Sequence, residues 1–151
     1  MDLTLPTGEF TLNIRVHIVL ETQNGFLFFK SKSGHYACVG GRVKAGESSL
    51  QAAKRELEEE TGLKLETDKF KLISIIENFY TDKINQNKYH EIGFMYFVTE
   101  TITHIDPKFI EEFKLLEIHK SEIPTYNILP TVVKDLILKN KLNEFDNYTI
   151  N

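Results

Sequence analysis

The stretch Gly41–Leu63, GRVKAGESSLQAAKRELEEETGL, constrains this chain more than any other, because it specifies a glycine-bearing loop and one helix with both ends marked. Ser48 can cap the helix, Gln51 three residues on completes a capping box, and Gly62 stands where a left-handed residue ends a helix. A turn of about 100° per residue puts Leu50, Ala53 and Leu57 on one stripe, which should face a core. Glu56, Glu59 and Glu60 fall on an adjoining stripe. Like charges at such spacing weaken an isolated helix by about 0.2–0.5 kcal/mol per pair. Arg55, one turn before Glu59, relieves part of that repulsion, but one guanidinium cannot satisfy three carboxylates. A hard divalent cation can, and magnesium is commonly held by one or two carboxylates while phosphate oxygens complete its shell.

An acidic run on a helix is ordinarily a solvated face. The residues around this one separate the two readings. The stretch fits G-x5-E-x7-R-E-U-x-E-E-x-G-U, with U a bulky aliphatic residue, at Gly41, Glu47, Arg55, Glu56, Leu57, Glu59, Glu60, Gly62 and Leu63. A solvated face explains the glutamates but not Gly41, Glu47 and Gly62. The pattern resembles the signature of the Nudix hydrolase family, typified by the MutT-like phosphohydrolases. The lead-in departs from the family's: Tyr36 takes its aromatic place and Cys38 its aliphatic one, while Val39 stands where a proline is common before Gly40-Gly41.

At 151 residues the chain is one domain's worth, with enough length to bury a full core. A net charge of −4 gives no electrostatic reason to bind long nucleic acids or an anionic membrane, which leaves small phosphate esters approached through cations. Cys38 is the single cysteine, so no intrachain disulfide forms. The N-terminal MDLTLPTGEF lacks the basic start and apolar run of a signal peptide, and no apolar segment approaches the length of a membrane span. The expectation is a soluble cytoplasmic protein.

Phe10–Leu20 is rich in β-branched and aromatic residues and reads as a strand, joined through Asn24-Gly25 to a second at Phe26–Lys30. Tyr36–Val39 reads as a short strand ending at Gly40-Gly41, where backbone can approach a ligand. Lys69–Thr81 and Tyr89–Thr99 read as a long hairpin about a polar turn, and Phe113–His119 as a short final strand. Pro130 is placed to start a closing helix with Val132, Leu136 and Leu138 on its apolar face. From about Asn143 the tail reads as loosely held. This order predicts a mixed sheet covered on both sides, and the resemblance implies the same, an α/β/α sandwich around a mixed β-sheet. The strand Phe10–Leu20 could pair with its copy in a homodimer, if it lies at an edge.

The resemblance implies hydrolysis of a nucleoside diphosphate linked to a further group, with magnesium, or manganese in its place, as cofactor. Carried onto this chain, Glu56, Glu59 and Glu60 are the metal-binding carboxylates and the Gly40 carbonyl a further ligand. Glu47 and Arg55 are supports, Arg55 orienting a glutamate through a charge-assisted hydrogen bond. Gly41 and Arg42, at the end of the lead-in strand, are candidates for substrate contact. The general base falls either on Glu56 or on a later acidic residue, with Glu91, Glu111 and Glu112 available and Glu112 preferred. Each of these three reads first as a surface carboxylate.

Tyr80 lies at a distance from the box that resembles the dinucleoside polyphosphate branch, where its ring would stack on a base. An aromatic on a strand is more often core. His90 could contact a phosphate or base but reads first as structural, and His17 as packing. Nothing near Cys38 in sequence supplies a base to activate it. Gly40-Gly41 is not a P-loop, since no Gly-Lys-Ser or Gly-Lys-Thr follows. Nucleoside triphosphates, nucleotide sugars and dinucleoside polyphosphates all suit such a site. The rival reading is a catalytically silent nucleotide sensor on the same fold, for which a broken glutamate box would be the mark; here the box is complete.

Overall fold

The computed structural model describes residues 1–150 of the chain. It opens with an antiparallel hairpin of β1 (Thr4–Thr7) and β2 (Phe10–Thr22) turning at Gly8. A tight turn follows in which Thr22 Oγ1 accepts the Gly25 N–H at 3.0 Å, leading into β3 (Gly25–Lys30). Two short strands, β4 (Tyr36–Ala37) and β5 (Val39–Arg42), deliver the chain to α1 (Ser49–Thr61). A long hairpin of β6 (Phe70–Thr81) and β7 (Lys88–Ile102) precedes α2 (Pro107–Phe113) and β8 (Leu115–His119). The chain closes with β9 (Ile128–Leu129), α3 (Val132–Leu138) and β10 (Asp146–Ile150).

The ten strands among the described residues belong to one mixed sheet, whose main path runs β10-β6-β7-β2-β3-β4-β9. Alternation along β2 sorts the core. Val16, Ile18 and Leu20 point to one face and meet Ala52, Ala53 and Leu57 of α1. Val19 points to the other and shares a second cluster with Met95, Phe97, Ile76 and the α3 residues Val132, Val133, Leu136 and Ile137. Two cores on opposite faces of one sheet make the expected α/β/α sandwich.

Several expectations need correction. β2 is not an edge: β7 runs parallel to it on one side, while β1, β5 and β3 pair with it in turn on the other, so its backbone groups are not free for a second copy. Phe113 ends helix α2 rather than starting a strand, because Asp106 caps the helix through the Lys108 N–H (3.0 Å) with Pro107 in its first turn. The strand that follows, β8, is not the last. On α3 the buried face carries Val133 and Ile137 alongside Val132 and Leu136, and Leu138 is turned to solvent at 41% exposure. The Asn143 carbonyl accepts from Lys71 Nζ and residues 146–150 run parallel to β6 as β10, while Asn151 lies outside the described residues. Among the described residues no helix is long and apolar enough to cross a membrane.

Candidate functional site

The helix α1 forms where its caps require. Ser48 Oγ accepts the Gln51 N–H, the Gln51 side chain accepts the Ser48 N–H at 2.7 Å, and Gly62 closes the helix at φ 74°. Both ends being fixed by backbone chemistry, the rotation of the helix follows from burying Ala52, Ala53 and Leu57. That rotation places Arg55 and Glu56 over the end of β5.

Arg55 is the hub of the loop. Its Nε and Nη2 donate to the two oxygens of Glu47 at 3.2 and 2.6 Å, Nη2 also to the Arg42 carbonyl at 3.0 Å, and Nη1 to Glu56 Oε1 at 2.5 Å and Glu59 Oε2 at 3.3 Å. Glu47 in turn accepts the Lys44 N–H at 2.7 Å. The Arg55 hydrogen bond, against a smaller opposing effect of burial, holds the Glu47 carboxyl below its usual range. The fork-shaped contact is strong in the way charge-assisted pairs are, and it fixes loop, helix and Glu56 to one another. Glu56 itself lies flat against the backbone at Gly41, where a Cβ would come within 2.4 Å of its Oε1.

Glu60 sits on the same stripe, half-buried. Burial first, and the neighbouring Glu56 charge next, push its carboxyl up to about 7, while the Gly40 backbone amide and the charge of Arg15 pull it down. Glu60 therefore adds a second carboxyl group beside Glu56, whose guanidinium partner, Arg55, is already shared with Glu47 and Glu59. This donor set fits magnesium, which keeps waters and phosphate oxygens in its shell and does not require an all-protein cage. Among the described residues no three His, Cys, Asp or Glu side chains form such a cage. Glu59 completes the stripe from a more exposed position, 52% open.

The opposite face of the sheet carries a group that the sequence did not bring together. Glu91 is 4% exposed, so it is not the surface carboxylate expected of it. His17 Nε2 stands 3.5 Å from its Oε1 and Arg15 Nη1 3.7 Å from its Oε2, with the Tyr80 hydroxyl 3.4 Å from Oε2. Burial raises the Glu91 carboxyl, but His17, Arg15 and Tyr80 together outweigh it and hold it below the ordinary value. Tyr80 stacks on Tyr89 with centroids 5.2 Å apart, and burial and Glu91 push its hydroxyl up to about 12. These contacts cross three strands. Only register could have revealed them: Asn78 of β6 and Asn13 of β2 both pair with Glu91 of β7.

The remaining candidates lie apart. Glu111 and Glu112 are exposed on α2 and join none of the hydrogen bonds or ion pairs of the Arg55 hub among the described residues. His90 stacks on Phe79 at 4.3 Å. Cys38 is core, its thiol pushed up to about 12 by burial.

A family model for the NUDIX domain matches residues 11–134. Among solved structures, the MutT protein of Bacillus halodurans is similar at a TM-score of 0.66 and 23% identity, covering 91% of this chain and 88% of that one. The dihydroneopterin triphosphate pyrophosphohydrolase of E. coli is similar at 0.57 and 16%, covering 86% and 95%. An ADP-ribose pyrophosphatase of Streptococcus suis is similar at 0.54 and 11%, covering 91% and 98%. At these identities the structures speak to fold, whereas the family model spans most of the chain, the α1 loop and the Glu91 group included. The chain belongs to the Nudix family.

Proposed function

We propose that this chain is a magnesium-dependent pyrophosphohydrolase, in which water attacks a phosphorus of a nucleoside diphosphate carrying a further group and two phosphorylated products leave. The observation that supports it most is the crowding of the Glu56 and Glu60 carboxyl groups on one helix stripe, beside an Arg55 already committed to Glu47 and Glu56. Two of the similar structures are named for pyrophosphate cleavage, of dihydroneopterin triphosphate and of ADP-ribose, which supports the bond class and leaves the substrate open.

Glu56, Glu59, Glu60 and the Gly40 carbonyl would hold the cation. Bound there, magnesium, or manganese in its place, neutralises charge on the phosphoryl oxygens. The chain's own residues do the rest. Arg55 holds Glu56 Oε1, which leaves Oε2 to take a proton from the attacking water. The new oxygen–phosphorus bond forms as the bridging oxygen departs with the electron pair of the broken anhydride. Gly41 gives the close backbone approach, Arg42 a cation beside it, and Tyr80, stacked on Tyr89, a ring for a base. The partner is a small nucleotide.

Release of phosphorylated products from nucleoside triphosphates, nucleotide sugars and dinucleoside polyphosphates, with magnesium, with manganese and with chelator, tests this. Turnover of one class that chelator abolishes is the expected result. A folded sample that binds a nucleotide and turns over none of them would instead support a silent sensor.

A further inference from the structure

The antiparallel pairing of β2 with β5 sets Arg15 directly opposite Arg42, and His17 opposite Gly40. Residues opposed in this way share a face, with Cβ atoms about 5 Å apart, and like charges so placed are destabilising. Neither guanidinium is well relieved within the described residues. Arg42 Nη1 stands 3.9 Å from Asp2 Oδ2, and Arg15 Nη1 3.7 Å from Glu91 Oε2, both beyond hydrogen-bond range, while Arg15 Nε is buried without a partner. Both side chains keep an open end, 32% exposed for Arg15 and 42% for Arg42. Two arginines on one face of the sheet thus keep N–H donors to spare, and such donors suit the oxygens of a phosphate.

Their position relative to the carboxylates is fixed by the same strands. Gly41, against which the Glu56 carboxylate lies, immediately precedes Arg42 in β5, and Gly40 is the next residue on the Arg42 face, about 7 Å along the strand. The Arg42 carbonyl is tied to Arg55 Nη2 at 3.0 Å, so the clamp and the Arg55 hub share one piece of backbone.

Beneath Arg15 lies the buried Glu91 group. Gly93, the partner of Arg15 across β2 and β7, leaves room for the His17 ring, since a Cβ there would stand 2.8 Å from Nε2. His17 can therefore lie across β7 toward Glu91. A buried carboxylate is costly to keep, and here three neighbours from two other strands are spent on it. Arg15 is one of these three, and its side chain also reaches solvent.

We propose that Arg15 and Arg42 form a two-guanidinium clamp for the diphosphate of the substrate, and that Glu91 is a positioning residue which holds Arg15 in it. The proposal rests on the pyrophosphohydrolase reading for its substrate, but not for its ligand chemistry. Its test is therefore binding as well as turnover.

Calorimetric binding of methylenediphosphonate, a diphosphate that water does not cleave, is measured with magnesium on the wild type and on Arg15→Ala, Arg15→Lys, Arg42→Ala and Glu91→Gln, each checked for a cooperative thermal transition. In parallel, kcat and KM are measured on whichever nucleotide the wild type cleaves. Diphosphonate binding is expected to weaken about 10-fold or more in Arg15→Ala and in Arg42→Ala. Arg15→Lys should recover part of that loss, and Glu91→Gln should raise KM several-fold more than it lowers kcat. A wild type that cleaves no nucleotide yet binds the diphosphonate in an Arg15-dependent way would uphold the clamp and sink the hydrolase reading. A wild type that cleaves a nucleotide, with Kd and KM unmoved in Arg15→Ala and only the thermal midpoint lowered in Glu91→Gln, would overturn the clamp and leave Glu91 a structural ion pair. Failure of the folded wild type to bind the diphosphonate at all would also overturn it.

Discussion

Arg55 concentrates more of this site than any other side chain, because each of its nitrogens has an oxygen to meet: Glu47, Glu56, Glu59 and the Arg42 carbonyl. Lysine keeps the charge but not the fork. Arg55→Lys is expected to lower kcat by about 10–100-fold, the usual cost of losing a residue that orients metal-binding groups, with the fold retained by circular dichroism. Gly41→Ala should act on the same carboxylate by contact, since the new methyl would sit within 2.4 Å of Glu56 Oε1. Displacing Glu56 by about an ångström is expected to cost on the order of 100-fold in kcat. Glu47 offers a test of stability rather than rate. Its carboxyl is held below the usual range by the Arg55 hydrogen bond, so the folded state binds its proton more weakly than the unfolded state. The resulting stability is present above the unfolded carboxylate's pKa and lost as pH falls through the folded one. Glu47→Gln should be less stable than wild type by about 1–2 kcal/mol at neutral pH, with the gap closing on acidification, as read from urea unfolding across the range. The Arg55 group was legible in sequence because its members lie within one turn-and-loop stretch. Arg15, His17 and Glu91 were not, since they meet only through the register of β2 against β7.

The elements were legible where local chemistry marks their ends. Ser48, Gln51 and Gly62 bound α1 as the sequence indicates, and the β2/β3 and β6/β7 hairpins form as expected, though neither Asn24 nor Gly25 takes a positive φ; Gly25 is required instead by the Ile118 backbone packed against it. Gly62→Ala is expected to destabilise the protein by about 1 kcal/mol or more, because φ 74° strains an L-residue and the new Cβ would meet the Phe109 ring at 2.5 Å. Ser48→Ala, which removes only the cap, should cost about 1 kcal/mol by the same thermal or urea measurement. What escaped the sequence were elements too short or too dependent on neighbours to carry a period. β9 spans two residues and exists because Ile128 and Leu129 pair with Tyr36 and Ala37. β1 contains Pro6, which cannot donate to a ladder, and is held as a strand by pairing with β2. α2 has two turns at most, and its Asp106-Pro107 start was the one readable sign.

At the scale of the molecule, the sandwich follows from β2, whose alternating residues feed a core under α1 on one face and a core under α3 on the other. That arrangement puts the carboxylates of α1 and the arginines of β2 and β5 at one end of the same sheet, though they come from opposite faces. Length and patterning were enough to anticipate the layers. They were not enough to place β2 in the interior of the sheet, which is why a dimer through that strand does not survive. The central claim is that the acidic stripe of α1 works as a metal-dependent centre for phosphoanhydride cleavage. It is tested most directly by product release from the nucleotide the wild type cleaves, compared with Glu60→Gln at matched protein and magnesium concentrations, with the variant's folding verified. The kcat is expected to fall by on the order of 100-fold or more while the thermal midpoint stays equal or rises, because the substitution removes a charge that burial and Glu56 disfavour. Unchanged turnover in a folded Glu60→Gln protein would contradict it.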